Sequence, residues 1–197
     1  MIRLPILIGL LVFIATKSTA PNTSKYFDIV LKDKIVGVLK VSQNTKDSIT
    51  YYQSSTVIKT RLIKDIEVDY NYDVSFNDML LKKANVQITV NNKPHSETIT
   101  LWKDGYYQIT KNSNEENTIV EPIAYTTILL YFQEPVDIDR CYSEQDGSIN
   151  HIEPLGNHTY KKTNSQGKEN TYYYNNGILK KAVINGGIIN FEMVARD

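Results

Sequence analysis

The chain has 197 residues, which is enough for one sizeable domain and short for two. Its 22 lysines and arginines balance 22 aspartates and glutamates, so the formal net charge is zero and the basic excess typical of nucleic-acid-binding proteins is missing. No nucleic-acid partner is therefore expected. Fourteen tyrosines, five phenylalanines and one tryptophan suit the pleated surface of a β-sheet.

The first twenty residues, Met1–Ala20, have the pattern of a secretory signal peptide. Arg3 provides the positive charge, Leu4–Ala15 is apolar but short for a membrane span, and small residues precede the cleavage position. Pro21 directly after that position is unfavourable for signal peptidases, so cleavage elsewhere or a retained anchor stays open. We predict a signal peptide (1–20) and one β-rich domain (21–197) that is exported to the periplasm or secreted.

Short strands begin the predicted domain. Tyr26–Leu31 and Ile35–Val41 are typical of a hairpin, and Gly37 marks a bulge or a close approach of two backbones. Ile49–Ile58 follows as a third strand that is rich in tyrosine, threonine and serine.

Asp65–Phe76 alternates without a break, with apolar side chains at even positions and polar ones at odd positions. Such a period predicts a long strand with one buried and one solvated face. Met79–Val90 also alternates, with one break at Lys82, and is its predicted hairpin partner. A three-residue loop, 77–79, keeps the apolar faces together, whereas a two-residue loop mixes them. The predicted pairs are Phe76–Leu80, Tyr72–Ala84, Tyr70–Val86, Val68–Ile88, Ile66–Val90 and Asp73–Lys83.

The next strands are predicted at Glu97–Trp102 and Tyr106–Thr110, followed by a polar loop, Lys111–Asn117. The period then changes once, because apolar residues between Pro122 and Phe132 recur at i, i+3, i+4 and i+7. This spacing predicts a short amphipathic helix from about Ala124 to Phe132. Six further strands separated by glycine-containing turns are predicted at Arg140–Glu144, Ile149–Ile152, His158–Thr163, Thr171–Tyr174, Ile178–Ile184 and Ile188–Val194.

Many short strands with no alternating helices predict an all-β fold. We expect a strongly curved antiparallel meander or incomplete barrel, with one short helix inside its mouth or across it.

Several motifs in the second half resemble those of a known family. They are L-Y-F-Q-E-P at 130–135, Y-S-E-Q-D-G at 142–147, G-N-H-T-Y at 156–160 and N-T-Y-Y-Y-N-N-G at 170–177. The opening hairpin is similar too. The family comprises uncharacterised exported β-rich proteins of Bacteroidetes-type bacteria and is classed as a domain of unknown function. The resemblance implies an envelope protein with a curved antiparallel sheet, and it carries over no catalytic residues.

The residues that could take part in catalysis or bind a metal do not form a recognised motif. The lone Cys141 allows no intrachain disulfide and is expected to be buried and inert. The minor alternatives are dimerisation through its thiol and a nucleophilic pair with His151 or His158. Carboxylates at 65, 67, 69 and 73 share one strand face, which we expect to be solvated. The histidines show no zinc-binding spacing, so we expect no metal and no cofactor.

The apolar face of the predicted curved sheet is covered by one short helix, which is about 10 Å wide. The helix either completes a fully packed core as a plug or leaves apolar surface uncovered. Uncovered apolar surface either closes by curvature or holds a hydrophobic ligand. We therefore expect a non-enzymatic envelope protein that binds an apolar or amphipathic molecule such as a lipid, with Tyr70, Tyr72, Ile128 and Phe132 as candidate lining. The alternatives are a structural or assembly role with an envelope protein partner, without a small ligand, and lastly a hydrolase based on carboxylates or Cys141.

Overall fold

The computed structural model describes residues 22–61, 65–186 and 189–196. Within these ranges the protein folds as fourteen antiparallel strands in one sheet with one short 3₁₀ helix, Thr127–Tyr131, which confirms the predicted all-β fold. The predicted signal peptide and its cleavage position at Pro21 lie outside the described residues. The strands are β1 (Thr23–Leu31), β2 (Lys34–Lys46), β3 (Ile49–Arg61), β4 (Asp65–Asn77), β5 (Leu80–Val90), β6 (Lys93–Lys103), β7 (Tyr106–Lys111), β8 (Asn114–Ile119), β9 (Arg140–Ser143), β10 (Ser148–Gly156), β11 (Thr159–Thr163), β12 (Glu169–Asn175), β13 (Ile178–Asn185) and β14 (Asn190–Ala195).

Sheet order follows the chain except at one junction. Strand β1 pairs with β14, so the order is β8-β7-β6-β5-β4-β3-β2-β1-β14-β13-β12-β11-β10-β9. The two ends of the described chain therefore lie side by side in the middle of the sheet. Its two edges are β8 and β9, and residues 120–139 connect them.

The sheet rolls up until the β9 end lies inside the concave face of the other end. The Tyr142 hydroxyl is 2.6 Å from Thr100 Oγ1 of β6, and Thr98 Oγ1 donates a hydrogen bond to the Gln145 carbonyl (2.9 Å). The Tyr72 hydroxyl of β4 donates to Gln145 Oε1 (3.1 Å). Side chains thus join the two ends where the strand ladder is not closed.

The connection between the edges fills the interior. Ile123, Ile128 and Leu130 are almost completely buried in it. The connection also binds the sheet through a backbone carbonyl. The Tyr174 hydroxyl of β12 donates a hydrogen bond to Leu130 O (2.8 Å). This segment is the plug of a rolled sheet, and the core forms around it.

The hairpin between β4 and β5 has a tighter turn than predicted. Asp78 and Met79 form a two-residue turn with φ of 49° and 64°, the left-handed values that suit a hairpin. A β-bulge at Lys82 of β5 then returns the apolar faces to the same side. The predicted pairs, among them Phe76–Leu80, Tyr72–Ala84 and Asp73–Lys83, are wrong. The observed pairs are Phe76–Leu81, Ser75–Lys83, Val74–Ala84, Asp73–Asn85, Tyr72–Val86, Tyr70–Ile88 and Val68–Val90.

The predicted helix from Ala124 to Phe132 is shorter and of another type, since only Thr127–Tyr131 is helical, as a 3₁₀ turn. The residues before it are extended because their backbones bind neighbouring strands. Tyr142 N donates to Tyr125 O (2.9 Å), and Thr126 forms a parallel bridge with Tyr142. These bonds cover the free edge of β9, which leaves too few residues for a longer helix.

Lys111–Asn117 was predicted as a loop but contains a turn at Asn112–Ser113 and the start of β8. Eight strands therefore precede the 3₁₀ helix, one more than predicted. Apart from Ile119, the side chains of β8 are exposed, so this edge strand has no apolar period to reveal it.

The predicted close approach at Gly37 is confirmed. A Cβ atom there would collide with the carbonyl of Val57 on β3, and the β1–β2 ladder shifts register next to it. Within the described ranges, no helix has the length and apolar character needed to cross a bilayer.

Candidate functional site

A cavity of about 130 Å³ lies in the rolled sheet, between β1–β4 and β14 on one side and β10–β12 on the other. Its volume is close to that of an engineered cavity of about 150 Å³ that binds benzene. It is smaller than the roughly 300–1,000 Å³ of drug-sized ligand sites. One wall is largely apolar, with Ile29, Leu39, Tyr70, Phe191 and Met193, and the opposite wall is polar, with Gln145, Asn150, Lys162, Asn164 and Asn170.

Asn150 is the most unusual residue of the polar wall. It is 2% exposed, and neither its Nδ2 nor its Oδ1 has a hydrogen-bond partner in the described structure. Strand β10 directs it inward, since it pairs with the buried Cys141 and alternates with the exposed His151. A buried amide without partners costs about 1–3 kcal/mol per polar group, and a group that both donates and accepts hydrogen bonds would satisfy Asn150.

Lys162 places a positive charge on the same wall. It is 6% exposed, and its Nζ donates to Thr127 Oγ1 (3.2 Å). Lys162 pairs with Ile152 across β10 and β11, so it is the diagonal neighbour of Asn150, about 7–8 Å away between Cα atoms. The two side chains therefore face the same part of the cavity.

Glu144 is the buried counter-charge, with no exposed surface. Its Oε2 and Oε1 accept the backbone N–H groups of Thr127 and Ile128, both at 3.1 Å. Burial raises the pKa of the Glu144 carboxyl, although the hydrogen bond from the Ile128 N–H group and the charge of Lys162 oppose that rise. Glu144 thus holds the start of the 3₁₀ helix, and Lys162 is connected to it through Thr127.

Two tyrosines from β4 close the other side. The Tyr70 hydroxyl donates to Gly186 O (3.3 Å) and the Tyr72 hydroxyl donates to Gln145 Oε1 (3.1 Å). Burial raises the pKa of Tyr70 to about 12 and raises the pKa of Tyr72 well above its ordinary value. Both phenols therefore stay neutral hydrogen-bonding groups at physiological pH.

The cavity reaches the surface at the turn between β11 and β12. Gln166 and Lys168 of this turn line the cavity and are exposed. Asn164 fixes the turn, because its Oδ1 accepts the backbone N–H groups of both residues at 2.9 Å. A ligand can therefore enter beside this turn.

The four candidate lining residues occupy different places. Tyr70 and Tyr72 line the cavity. Ile128 is fully buried in the 3₁₀ helix, and Phe132 packs against Tyr52 with ring centroids 5.2 Å apart. The last two lie outside the cavity wall.

The sequence interpretation missed Asn150 and Lys162, although a signal for Lys162 was present. Tyr160 and Tyr172 mark the inward face of β11 and β12. A period of two from Tyr160 puts Lys162 on that inward face, where a lysine is unusual.

The residues considered for catalysis are separated. Cys141 has no exposed surface, and burial raises the pKa of its thiol to about 12. His151 lies on the opposite face of the sheet, and His158 binds Glu134 through Nδ1 (2.8 Å). In the described part of the chain, the structure does not bring a histidine to the cysteine.

The carboxylates of β4 are on the solvated face, as expected. Glu67 pairs with Lys59 (3.1 Å), Asp69 accepts a hydrogen bond from Thr89 (3.0 Å), and Asp73 is exposed. The side chain of Asp65 lies outside the described part. Within that part, no three His, Cys, Asp or Glu side chains form a group that could hold a metal ion.

Comparisons with known proteins agree with the fold. A family model described as a domain of unknown function (DUF6134) matches residues 27–196. A crystal structure described as a beta-barrel-like protein of the domain of unknown function DUF1849, from Brucella abortus, has a TM-score of 0.55 and 11% sequence identity, and the match covers 90% of this chain and 96% of that one. At this identity the likeness concerns the fold alone. No curated protein matches the chain.

Proposed function

Because the chain belongs to the DUF6134 family, whose function is unknown, we propose a function from its cavity. The protein is a non-enzymatic binding protein that holds an amphipathic small molecule, such as a lipid, in its rolled sheet. It acts after export, in the envelope of Bacteroidetes-type bacteria. The Met1–Ala20 pattern supports the export, and the barrel-like fold supports the binding.

The observation that carries this proposal is the chemistry of the two cavity walls. The apolar side chains of Ile29, Leu39 and Met193 face a polar wall with the unpartnered amide of Asn150. A purely structural interior would fill the space with apolar side chains, and native proteins leave few buried amides unsatisfied. A molecule with one apolar and one polar part satisfies both walls.

The cavity volume limits what it can enclose. About 130 Å³ holds a group the size of a benzene ring, so it holds one end of a lipid and not a whole one. The rest of a longer bound molecule extends out of the cavity through the opening at Gln166 and Lys168. The best ligands of this site are therefore small amphiphiles or the ends of larger ones.

Native mass spectrometry of the mature protein, purified from its own envelope before and after organic extraction, tests the proposal. We expect a discrete mass excess that extraction removes and that added amphiphile restores. Ser54→Leu fills the cavity and should prevent uptake, whereas Ser55→Leu, on the exposed face of the same strand, should not. A bare mass together with no uptake of any amphiphile by the folded protein would refute the proposal.

A structural or assembly role is the second candidate because β8 is an open edge. In the described structure, β8 pairs with β7 alone, and its other backbone edge is free. Glu115 and Glu116 of this strand are exposed, and charged side chains on an edge disfavour pairing with another strand. The ligand-binding function therefore ranks first.

A further inference from the structure

We propose that the cavity recognises a carboxylate group of its ligand, held between the ammonium of Lys162 and the amide of Asn150. The ligand class is an amphipathic carboxylic acid with a hydroxyl or N–H group close to the carboxylate. This inference rests on the proposed binding function and specifies the polar end of the ligand.

The charged residues that line the cavity are Asp146, Lys162 and Lys168, and of these Lys162 is the one that is nearly buried. An ammonium has three N–H donors, and among the described residues Thr127 Oγ1 accepts one of them, at 3.2 Å. Both oxygens of the nearby Glu144 accept backbone N–H groups of the 3₁₀ helix. Two donors of a nearly buried cation thus remain for an anionic group in the cavity, and such charge-assisted bonds are the stronger class.

Asn150 requires that the ligand also have a hydrogen-bond donor close to its carboxylate. Its Nδ2 can donate to a carboxylate oxygen, but its Oδ1 needs a donor, which a carboxylate lacks. A hydroxyl or N–H group on the first or second carbon next to the carboxylate supplies that donor. Both atoms of the amide are then satisfied by the same ligand.

Cavity size selects a carboxylate over a larger anion. A carboxylate, an adjacent hydroxyl and two or three carbons have about the heavy-atom number of benzene, which a cavity of this volume accommodates. A phosphate ester places five heavy atoms in its head group and leaves little space beside Ile29 and Met193. The apolar remainder extends along these residues toward the opening.

Titration calorimetry with four ten-carbon probes tests the inference: decanol, decanoate, 3-hydroxydecanoate and decyl phosphate. Wild-type protein should bind decanoate at least tenfold more tightly than decanol, and 3-hydroxydecanoate more tightly still. Lys162→Met should abolish the preference for the acids over decanol. Lys161→Met is the matched control, because Lys161 lies on the outer face, paired with Glu153 (2.9 Å) and Glu169 (3.3 Å), and should leave the preference unchanged.

Asn150→Leu provides a second variant of similar volume and should remove the advantage of 3-hydroxydecanoate over decanoate. Circular dichroism establishes that each variant is folded before titration. Equal binding of decanol and decanoate by the wild type, tighter binding of decyl phosphate, or a preference that survives Lys162→Met would overturn the carboxylate site and leave the binding function intact. Failure of all four probes to bind would instead count against the binding function.

Discussion

Cys141 illustrates how burial controls the chemistry of a single residue. Its thiol has no exposed surface, and its pKa is raised to about 12 by burial. Because the thiolate is the reactive form, we expect native protein at pH 8 to react with a thiol reagent only as fast as it unfolds. Mass spectrometry of iodoacetamide-treated samples with and without urea measures this. Rapid labelling of the folded protein would show that the thiol is accessible.

Tyr160 and Glu134 form a hydrogen bond that should contribute to stability in a pH-dependent way. The Tyr160 hydroxyl donates to Glu134 Oε1 at 2.7 Å, and His158 Nδ1 lies 2.8 Å from the same oxygen. We expect Tyr160→Phe to lower the free energy of unfolding at pH 7 by about 1.5–3 kcal/mol, the value of bonds to charged groups. Urea titration measures the difference. Tyr106→Phe, at a residue 39% exposed, is the control and should change little.

The sign of the pH dependence follows from the Glu134 carboxyl. Burial raises its pKa, but the hydrogen bonds from Tyr160 and His158 outweigh burial, so the pKa lies below its ordinary value of 4.5. A carboxyl with a lowered pKa stabilises the fold above the unfolded value, and this contribution is lost as pH falls through the folded value. The difference between wild type and Tyr160→Phe should therefore shrink below pH 4.5. A constant difference down to pH 2 would contradict this assignment.

The candidate site was partly predictable at the residue scale. Tyr70 and Tyr72 could be found because an uninterrupted alternation over β4 fixes which side chains point inward. Ile128 and Phe132 could not be placed, since their positions depend on a plug whose backbone bonds come from distant strands. Lys162 was missed because charged residues are normally assigned to the solvated face.

The 3₁₀ helix shows how one distant side chain holds an element in place. Glu144 accepts the N–H groups of Thr127 and Ile128, which no other part of so short a helix could satisfy. Glu144→Ala leaves both groups buried without an acceptor, at about 1–3 kcal/mol each. We expect a loss of unfolding free energy of about 2–5 kcal/mol in urea titration. Glu121→Ala, which removes an exposed ion pair with Arg140, should cost less than about 1 kcal/mol.

The strands and turns whose hydrogen bonds join residues close in the sequence were the elements that could be predicted. Most strands and turns have their own alternation and turn residues, and the chain order of the elements follows from them. The predicted β4–β5 register was wrong because a bulge at Lys82 keeps the apolar faces together with a two-residue turn. The prediction of a helix from Ala124 was wrong because Tyr125 and Thr126 bind β9. This tertiary interaction overrides the helical period of the sequence.

At the scale of the whole molecule, the curvature of the sheet was predictable, but the strand pair that joins its two halves was not. A meander of many strands with one apolar face must bend to bury that face. The pairing of β1 with β14 joins residues almost a whole chain apart, and no local pattern specifies it. The same pairing holds the sheet together, because without it β1–β8 and β9–β14 would be separate sheets.

This architecture predicts which circular permutants fold. Arg196 N donates to Tyr26 O at 2.9 Å, so a short Gly/Ser linker can join residue 196 to residue 22. New ends at the exposed Asp104–Gly105 turn keep every strand whole, and we expect this permutant to unfold cooperatively and to retain the parent near-UV circular dichroism. New ends between Asn85 and Val86 cut β5 in the middle of its ladder, so that matched permutant should not fold. Folding of both, or of neither, would contradict a sheet held together by the β1–β14 pair.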